Sequence, residues 1–295
     1  MNKWVEYQEL PGQDGLRKLN ERLLFKKEDF KDATVLDLGC WAGQIMLQSK
    51  KWGAKEVFGV DIDSDVVVLG RKFGNNIICD DLENPFFWRG VKSYDVVLLL
   101  SILGNVNNPE MVISQAALKT NKVMYVEGHG SYHKKKKEEW VDLFMKYTDF
   151  TTIEYLGDAP DRALFRLSRE TLSVNEVVDR VGDRILITGK PGAGKTYISG
   201  FFKKHKTYSD PPAEDLPDKE TKEKFIIDSS GSLEIADAET AILVVVNDRE
   251  RIKRIETCPY SPEFGGDGKF GRRAFEFSKS PTYKAKFVNF YTIKN

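Results

Sequence analysis

Residues 184–196, RILITGKPGAGKT, place closely spaced glycines, a lysine and a threonine directly after a short apolar run. This spacing matches G-x-x-x-x-G-K-[ST], in which glycines let backbone N–H groups turn inward around phosphate oxygens. Lys195 would reach the β- and γ-phosphates of a nucleotide, and Thr196 would hold Mg²⁺. The segment therefore predicts binding of ATP and Mg²⁺. The residues expected to form this site are Gly189, Gly192, Ala193, Gly194, Lys195 and Thr196.

Further charged residues downstream could complete a phosphoryl-transfer site. Asp228 ends the apolar run FIID, where its carboxylate would contact the metal ion through water. The basic segment RERIKRIE contains three arginines, among them Arg251, which could neutralise charge on the transferring phosphoryl group. Arg272 and Arg273 are rivals for that role, and a solvated helix face is the alternative for the basic segment. Lys195, Asp228 and Arg251 are therefore the candidate catalytic residues of this half.

A second stretch with chemical potential, ATVLDLGCWAGQ at residues 33–44, lies near the start of the chain. Its apolar run leads into Asp37, and Gly39 and Gly43 frame a turn into a helix, where the backbone can approach a ligand closely. About twenty residues later, within VFGVDID, a second predicted strand ends in Asp61, whose carboxylate can accept both hydroxyls of a ribose. These features predict a nucleoside pocket.

The segment ICDD places Asp80 and Asp81 at the end of a third apolar run, where a side chain can reach an adenine edge. A dinucleotide-binding fold would need G-x-G-x-x-G, which this stretch lacks. In this order and spacing, VLDLGCWAG, GVDID, CDD and YDVVLLLS resemble the class I S-adenosylmethionine-dependent methyltransferases over about residues 30–168. The resemblance implies S-adenosylmethionine as cofactor and a Rossmann-like fold.

The resemblance also implies roles for individual residues. Asp37 and the two glycines would line the methionine part of the cofactor, Asp61 would hold the ribose, and Asp80 the adenine amine. Trp41 stands where many members of the family have glycine. The cofactor-binding residues expected in this half are Asp37, Gly39, Cys40, Gly43, Asp61, Ile62, Asp80, Asp81 and Ser101.

Residues that handle the methyl acceptor should lie beyond the carboxyl ends of the fourth and fifth strands. That position points to Ser101, Asn105, Glu127 and His129, with Glu127 and His129 as catalytic candidates. His129 could act as a general base, or it could be a loop histidine without a catalytic role. The family's tetrapeptide Asn/Asp-Pro-Pro-aromatic is absent after the fourth strand, where the sequence is SILGN, which weighs against methylation of a base amine.

Repeated strand–helix alternation from about Thr34 onward predicts a parallel sheet with helices on both faces. FTTIEYLG and RALFRLSR follow one another with only the turn DAPD between them, which predicts an antiparallel hairpin at one edge of the sheet. A polar connector with a short helix, Ser168 to Asp183, separates this pattern from a second one. We expect two α/β domains, residues 1–170 and residues 171–295.

The second domain resembles the small nucleoside- and metabolite-kinase branch of P-loop folds. In that branch a strand such as AILVVVND leads into a basic lid helix. The polar run TYSDPPAEDLPDKETKEK is expected to be a loop. The four lysines from Lys134 to Lys137 are read as a solvated charge run rather than a phosphate grip.

The composition limits which classes of partner the sequence supports. There are 45 basic and 45 acidic residues, so net charge offers no support for membrane or nucleic-acid binding, although it leaves a local basic patch open. Cys40, Cys79 and Cys258 lie far apart and fit a reducing, cytoplasmic setting. The first ten residues lack an apolar signal core, and no apolar run is long enough to span a bilayer.

The two predicted sites lead to two hypotheses. The first is a bifunctional enzyme, a methyltransferase joined to an ATP-dependent kinase, acting on a nucleotide, a nucleic-acid end or a small hydroxylated metabolite. The second is a methyltransferase gated by a nucleotide-binding module that transfers no phosphoryl group.

Overall fold

The structure is a computed structural model that describes residues 8–12, 14–16, 18–19, 24–128, 135–158, 162–170, 172–188, 195–209, 224–228, 240–245 and 289–294. Contacts divide the chain into two compact units. The first comprises residues 1–136, 143–150 and 154–169, and the second residues 137–142, 151–153 and 170–295.

The first unit is built on a seven-stranded sheet. Its strands are β1 (Thr34–Leu38), β2 (Glu56–Asp61), β3 (Asn76–Cys79), β4 (Tyr94–Leu100), β5 (Thr120–Glu127), β6 (Thr152–Asp158) and β7 (Ala163–Ser168). Their order is β3-β2-β1-β4-β5-β7-β6. Strands β1 to β5 pair in parallel, whereas β7 runs antiparallel to β5. The predicted parallel α/β sheet, with a final strand pair that lacks an intervening helix, is confirmed.

Helices alternate with the first six of these strands. They are α1 (Gln44–Lys51), α2 (Ser64–Lys72), α3 (Pro85–Gly90), α4 (Pro109–Leu118) and α5 (Lys137–Tyr147), and a short 3-10 helix, Lys27–Phe30, precedes β1. The apolar runs of β1 and β4 are almost wholly buried, as expected for central strands covered on both faces. Because β1 to β5 are parallel, their carboxyl ends lie along one edge of the sheet.

Two helices, α3 and α4, were not singled out from the sequence, although each carries a start signal. Asn84 caps α3 by accepting from the N–H of Phe86, and Asn108 caps α4 by accepting from the N–H of Met111. In both helices a proline follows the cap at the first helical position, where its missing N–H costs nothing. The Asn-Pro pair thus marks where each helix begins.

A buried ionic network holds the segment before β1 against β5, β6 and β7. Arg166 donates to Asp29 at 2.8 and 3.0 Å and to Glu154 at 3.0 Å. Tyr125 donates to Asp29 at 2.5 Å and accepts from the N–H of Lys26 at 3.1 Å. Burial raises the pKa of the Tyr125 hydroxyl, and the charge of Asp29 adds to that rise. Burial alone would lower the pKa of Arg166, but its hydrogen bonds and ion pair with Asp29 outweigh burial and raise it.

Among its described residues, the second unit contains a set of parallel strands. Its strands are β8 (Arg184–Thr188), β9 (Lys206–Ser209), β10 (Phe225–Asp228), β11 (Thr240–Val245) and β12 (Asn289–Lys294), and its helices are α6 (Val174–Val178) and α7 (Lys195–Ser199). The order is β12-β11-β8-β10-β9, and every neighbouring pair is parallel. An apolar core that includes Ile185, Ile198 and Ile226 packs around β8.

One expectation for this unit was wrong. The polar run from Thr207 was expected to be a loop, but Lys206–Ser209 forms β9 and pairs with β10 from Lys206↔Phe225 to Ser209↔Asp228. Thr207 and Tyr208 have the β-branched and aromatic side chains that favour strands. The rest of that run, residues 210–223, lies outside the described residues.

Among the described residues, no helix has both the length and the apolar character needed to cross a membrane.

Candidate active site

A cavity of about 630 Å³ opens at the carboxyl edge of the sheet in the first unit. This volume is typical of small-molecule sites, which span roughly 300–1,000 Å³. Five predicted residues at or just beyond the carboxyl ends of β1 and β2 line it, namely Asp37, Gly39, Cys40, Asp61 and Ile62. Residues that follow β3 and β4 line it as well, so segments remote in sequence meet at one edge.

The turn between β1 and α1 is shaped by left-handed backbone conformations. Gly39 has φ 69°, and a Cβ placed on it would meet the side chain of Ile102 at 2.8 Å. Trp41 also has a positive φ, 51°, at the position where glycine would adopt this conformation without strain. Its side chain is buried beside Leu10 and Val66, so packing holds it in place. The turn therefore brings backbone, rather than side chains, to the cavity at Gly39.

Gly43 differs from the expectation. It was predicted to contact the cofactor, but it is not among the described residues that line the cavity. It has φ 84° and caps α1, and a Cβ there would meet Asn75 Nδ2 at 2.5 Å. Asn75 donates to the carbonyl of Ala42 at 2.9 Å. The glycine is thus required by the left-handed cap and by close packing against Asn75.

Asp61 is held in place by backbone N–H groups. One carboxylate oxygen accepts from the N–H of Trp41 at 2.7 Å, and the other from the N–H of Asp63 at 3.1 Å. Burial raises the pKa of the Asp61 carboxyl, although these two hydrogen bonds oppose the rise. Asp61 therefore orients the turn after β1 and presents a partly desolvated carboxylate to the cavity.

Cys40 is a buried thiol in the cavity wall. Its Sγ lies 3.4 Å from the carbonyl oxygen of Trp41, to which it donates. Burial raises the pKa of Cys40 well above its usual value, and the charges of Asp37 and Asp61 add to the effect. The side chain is therefore a neutral packing group at neutral pH, because the thiolate is strongly disfavoured there.

Asp80 and Asp81 line the cavity beyond β3 and organise a tight turn. Asp80 accepts from the N–H of Asp81 at 2.8 Å, and Asp81 accepts from the N–H of Glu83 at 2.8 Å. Glu83 in turn accepts from the backbone of Asn107 and Asn108 at 3.0 and 2.9 Å. The backbone hydrogen bond from Asn107 is the main cause that lowers the pKa of Glu83. Glu83, which was not predicted, links the loop after β3 to the loop before α4.

Ser101 and Glu127 form a pair at the ends of β4 and β5. Ser101 lines the cavity, has φ 61°, and its hydroxyl donates to the carboxylate of Glu127. Glu127 is only 1% exposed and is not among the described lining residues, so it reaches the cavity through Ser101. Asn105 lines the cavity as predicted for an acceptor residue. His129 lies outside the described residues.

Sequence reasoning also missed Gln8 and Arg162, which both line the cavity. Gln8 is 6% exposed, and its Oε1 accepts from the N–H of Gln44 at the start of α1, at 3.3 Å. Arg162 directly precedes β7. Neither position carries a local signal, because each joins the cavity only through a contact with a distant part of the chain.

The predicted phosphate-binding residues of the second unit are described only in part. Lys195 and Thr196 begin α7, and Asp228 ends β10, but their side chains are not described. The remaining predicted residues, Gly189, Gly192, Ala193, Gly194 and Arg251, lie outside the described residues.

A family model described as a methyltransferase domain matches residues 9–159, about half of the chain. The ribosomal protein L11 methyltransferase of Thermotoga petrophila is 27% identical over 146 residues, covering 42% of this chain and 54% of that protein. The chain spans about half the length of the curated relatives it matches.

Solved structures give more distant matches. The magnesium protoporphyrin IX methyltransferase ChlM from Synechocystis PCC 6803, with bound SAM, is 16% identical and has a TM-score of 0.42. That match covers 51% of this chain and 76% of ChlM. The bifunctional kinase-methyltransferase WbdD is 20% identical, with a TM-score of 0.43, over 59% of this chain and 47% of WbdD. Both TM-scores are too low to carry an inference about this chain.

The cavity fits S-adenosylmethionine, the cofactor that the sequence resemblance implies. A side chain at Gly39 would clash with Ile102, so only backbone lines the cavity at that position. Asp61 ends β2 with a partly desolvated carboxylate, which suits ribose hydroxyls. With the family model over residues 9–159, these features establish that the chain belongs, through its N-terminal half, to the class I S-adenosylmethionine-dependent methyltransferases.

Proposed function

We propose that the chain is a bifunctional enzyme that combines methyl transfer from S-adenosylmethionine with phosphoryl transfer from ATP. The acceptor is a nucleotide, a nucleic-acid end or a small hydroxylated metabolite. The observation that carries the second activity is the position of GKPGAGKT directly after β8, the central strand of a parallel sheet. The proposal for the activity of the whole protein and its substrates is based on this position and on the cavity of the first unit.

In the first unit, Asp61 would accept the ribose hydroxyls and Asp80 the adenine amine. Gln8 would donate through its Nε2 to the methionine carboxylate, because its Oε1 is already engaged by the N–H of Gln44. S-adenosylmethionine supplies a methyl group already activated on a sulfonium. The remaining task of the chain is to align the acceptor and to exclude water.

Proton removal from a hydroxyl acceptor would run through Ser101 and Glu127. The Ser101 hydroxyl donates to Glu127, and a hydroxyl oxygen that donates can also accept. As the new carbon–oxygen bond forms, the acceptor's proton would pass to Ser101 Oγ while the proton of Ser101 passes to Glu127. Glu127 would end protonated and the acceptor methylated, which balances the transfer.

In the second unit, strand order supports nucleotide binding. After β8 the chain adds β9 and β10 on one side and then β11 and β12 on the other. β8 therefore lies where the strand order reverses, and open parallel sheets bind ligands beyond the carboxyl ends of strands at such a point. Lys195 begins the helix that follows, and Asp228 ends β10, level with Ile187 of β8.

The proposed kinase reaction gives each predicted residue a role. Lys195 would contact the β- and γ-phosphates, Thr196 and Asp228 would hold Mg²⁺ together with phosphate oxygens, and Arg251 would neutralise charge on the transferred group. If phosphoryl transfer is absent, the same site would serve as a nucleotide-binding module that gates the methyltransferase.

The test compares Lys195→Ala with Lys203→Ala, an exposed lysine of the same unit. We expect Lys195→Ala to weaken ATP binding modestly and to reduce ADP release with acceptors far more, because its charge matters most in the transition state. Lys203→Ala should match the wild type, and all three proteins should bind S-adenosylmethionine equally. Wild-type protein that binds ATP without turning it over would favour the gating module. Protein that binds no ATP would refute both readings of this unit.

A further inference from the structure

The charges that line the cavity of the first unit are unevenly distributed. Among the lining residues that the structure describes, six are carboxylates and one is a cation, Arg162. The carboxylates are Asp37, Asp61, Asp63, Asp80, Asp81 and Glu83. All six lie in or beyond the carboxyl-terminal parts of β1, β2 and β3. A cation in such a wall is placed to attract the anionic group of a ligand.

Arg162 lies on the β7 side of the cavity, away from Asp61 at the end of β2. The N–H of Gly128 donates to the carbonyl of Ala163 at 2.9 Å, and Glu127 pairs with Leu164 across β5 and β7. Arg162 is therefore level with the carboxyl end of β5, next to the Ser101–Glu127 pair. Four strand spacings, roughly 19 Å, separate β7 from β2. The arginine thus belongs to the side of the cavity where the acceptor would react.

Binding of the cofactor does not require the positive charge of Arg162. The cofactor's one anionic group is the methionine carboxylate, for which Gln8, placed near the start of α1, would supply a donor. The Nε and Nη1 atoms of Arg162 are buried, so its charge acts in a partly desolvated setting where electrostatic interactions are stronger. A guanidinium also offers paired donors that match a carboxylate or a phosphate.

We propose that Arg162 is a specificity-determining residue of the methyl-transfer site that binds an anionic group, a phosphate monoester or a carboxylate, on the acceptor. This inference rests on the proposed function, because it names the class of acceptor. An uncharged acceptor would not make this charged contact. The enzyme should therefore discriminate between acceptors that differ only in an anionic substituent.

The experiment uses the full chain saturated with S-adenosylhomocysteine and titrated with phenyl phosphate, benzoate and benzyl alcohol. We expect the wild type to bind phenyl phosphate or benzoate more tightly than benzyl alcohol. The stronger of the two anions identifies the phosphate or the carboxylate as the preferred group. Arg162→Gln should weaken anion binding by about 10- to 100-fold and leave benzyl alcohol unchanged. Arg162→Lys should retain part of the binding, and Arg89→Gln, an exposed arginine outside the cavity, should match the wild type.

Three results would overturn the proposal. The first is that wild-type protein prefers neither anion to benzyl alcohol, and the second is that Arg162→Gln binds the anions as tightly as the wild type. The third is that Arg162→Gln loses affinity for S-adenosylhomocysteine but not for methylthioadenosine, which lacks the amino-acid part. This result would show that Arg162 binds the cofactor carboxylate instead of the acceptor. Failure of the methyltransferase reading is distinguishable, because the wild type would then not bind S-adenosylhomocysteine.

Discussion

The two ends of the cavity in the first unit are assembled in different ways. At the end formed by β1, β2 and β3, carboxylates are held by backbone N–H groups, as Asp61 is by Trp41 and Asp63. At the end formed by β4, β5 and β7, side chains from distant parts of the chain hold one another, as Ser101 and Glu127 do. The first end is therefore held by backbone groups, from the adjacent residue Asp63 and from the turn after β1, whereas the second is held by side chains that meet once β4 and β5 pair.

This difference predicts a separation of effects. The carboxylates near β1 to β3 would contact the cofactor in its ground state, so changes there should alter cofactor affinity. The groups near β4, β5 and β7 would act on the acceptor as the methyl group moves, so changes there should alter the rate. A variant that changed both cofactor affinity and reaction rate would show that the two ends of the cavity do not act separately.

The largest effect is expected for Glu127→Gln. It removes the proton acceptor behind Ser101 while keeping the side-chain volume, so kcat for methyl transfer should fall on the order of 10²- to 10⁴-fold. Affinity for S-adenosylhomocysteine should stay unchanged. The measurement is transfer of a radiolabelled methyl group to any acceptor that the wild type modifies, together with calorimetry of cofactor binding.

Glu28→Gln provides the control, since Glu28 is exposed on the 3-10 helix before β1. If Glu127→Gln transfers methyl groups at the wild-type rate, the proposed proton path through Ser101 is wrong. If it instead loses cofactor affinity, the two ends of the cavity are not separable.

A smaller effect, on affinity rather than rate, is expected for Asp61→Ala. The change removes the carboxylate that would accept the ribose hydroxyls, and it leaves the N–H groups of Trp41 and Asp63 without that partner. S-adenosylhomocysteine should bind more weakly by about 1.5–3 kcal/mol in calorimetry. Asp65→Ala, an exposed aspartate of α2, should bind it as the wild type does. Equal affinities of Asp61→Ala and wild type would remove Asp61 from the site.

The same contrast explains what could be predicted from the sequence. Asp37, Asp61 and Asp80 follow or end apolar runs, so the pattern of strands alone located them at one edge of the sheet. Gln8 could not be found in this way, because its contact with Gln44 joins segments that are 36 residues apart. Strand ends and turns can be predicted from neighbouring residues, whereas contacts between distant segments depend on tertiary packing.

At the end of the cavity formed by β4, β5 and β7, the sequence likewise predicted positions but not contacts. Glu127 was located as a candidate from its place after an apolar run, but its burial behind Ser101 depends on the pairing of β4 with β5. Arg162 enters the cavity only because β7 runs antiparallel to β5 with Leu164 opposite Glu127. A shift of that register by one residue would turn the side chains to the other face.

A still smaller effect on affinity is expected at Gln8. Gln8→Leu removes the Nε2 donor and the Oε1 acceptor for Gln44, so S-adenosylhomocysteine should bind more weakly by about 0.5–1.5 kcal/mol. Gln8→Glu keeps an acceptor for Gln44 but places a negative charge near the methionine carboxylate, so it should weaken binding further. Methylthioadenosine, which lacks that carboxylate, should distinguish the variants much less. Equal losses with both ligands would show that Gln8 acts through the fold alone.

The smallest effect is the pH dependence of cofactor binding set by Asp61. Burial raises the pKa of this carboxyl, so protonation begins at a higher pH than for an ordinary aspartate. Ribose hydroxyls bind the ionised form better, so affinity for S-adenosylhomocysteine should fall as the pH falls through the pKa of Asp61. The stability of the ligand-free protein should change in the opposite direction, because a carboxyl whose pKa is raised by folding stabilises the fold when protonated and loses that contribution as the pH rises. Calorimetry and thermal unfolding over the same pH series test both signs, with Asp61→Asn as the variant that cannot titrate. If wild type and Asp61→Asn lose affinity in parallel, another carboxylate of the cavity controls the pH dependence.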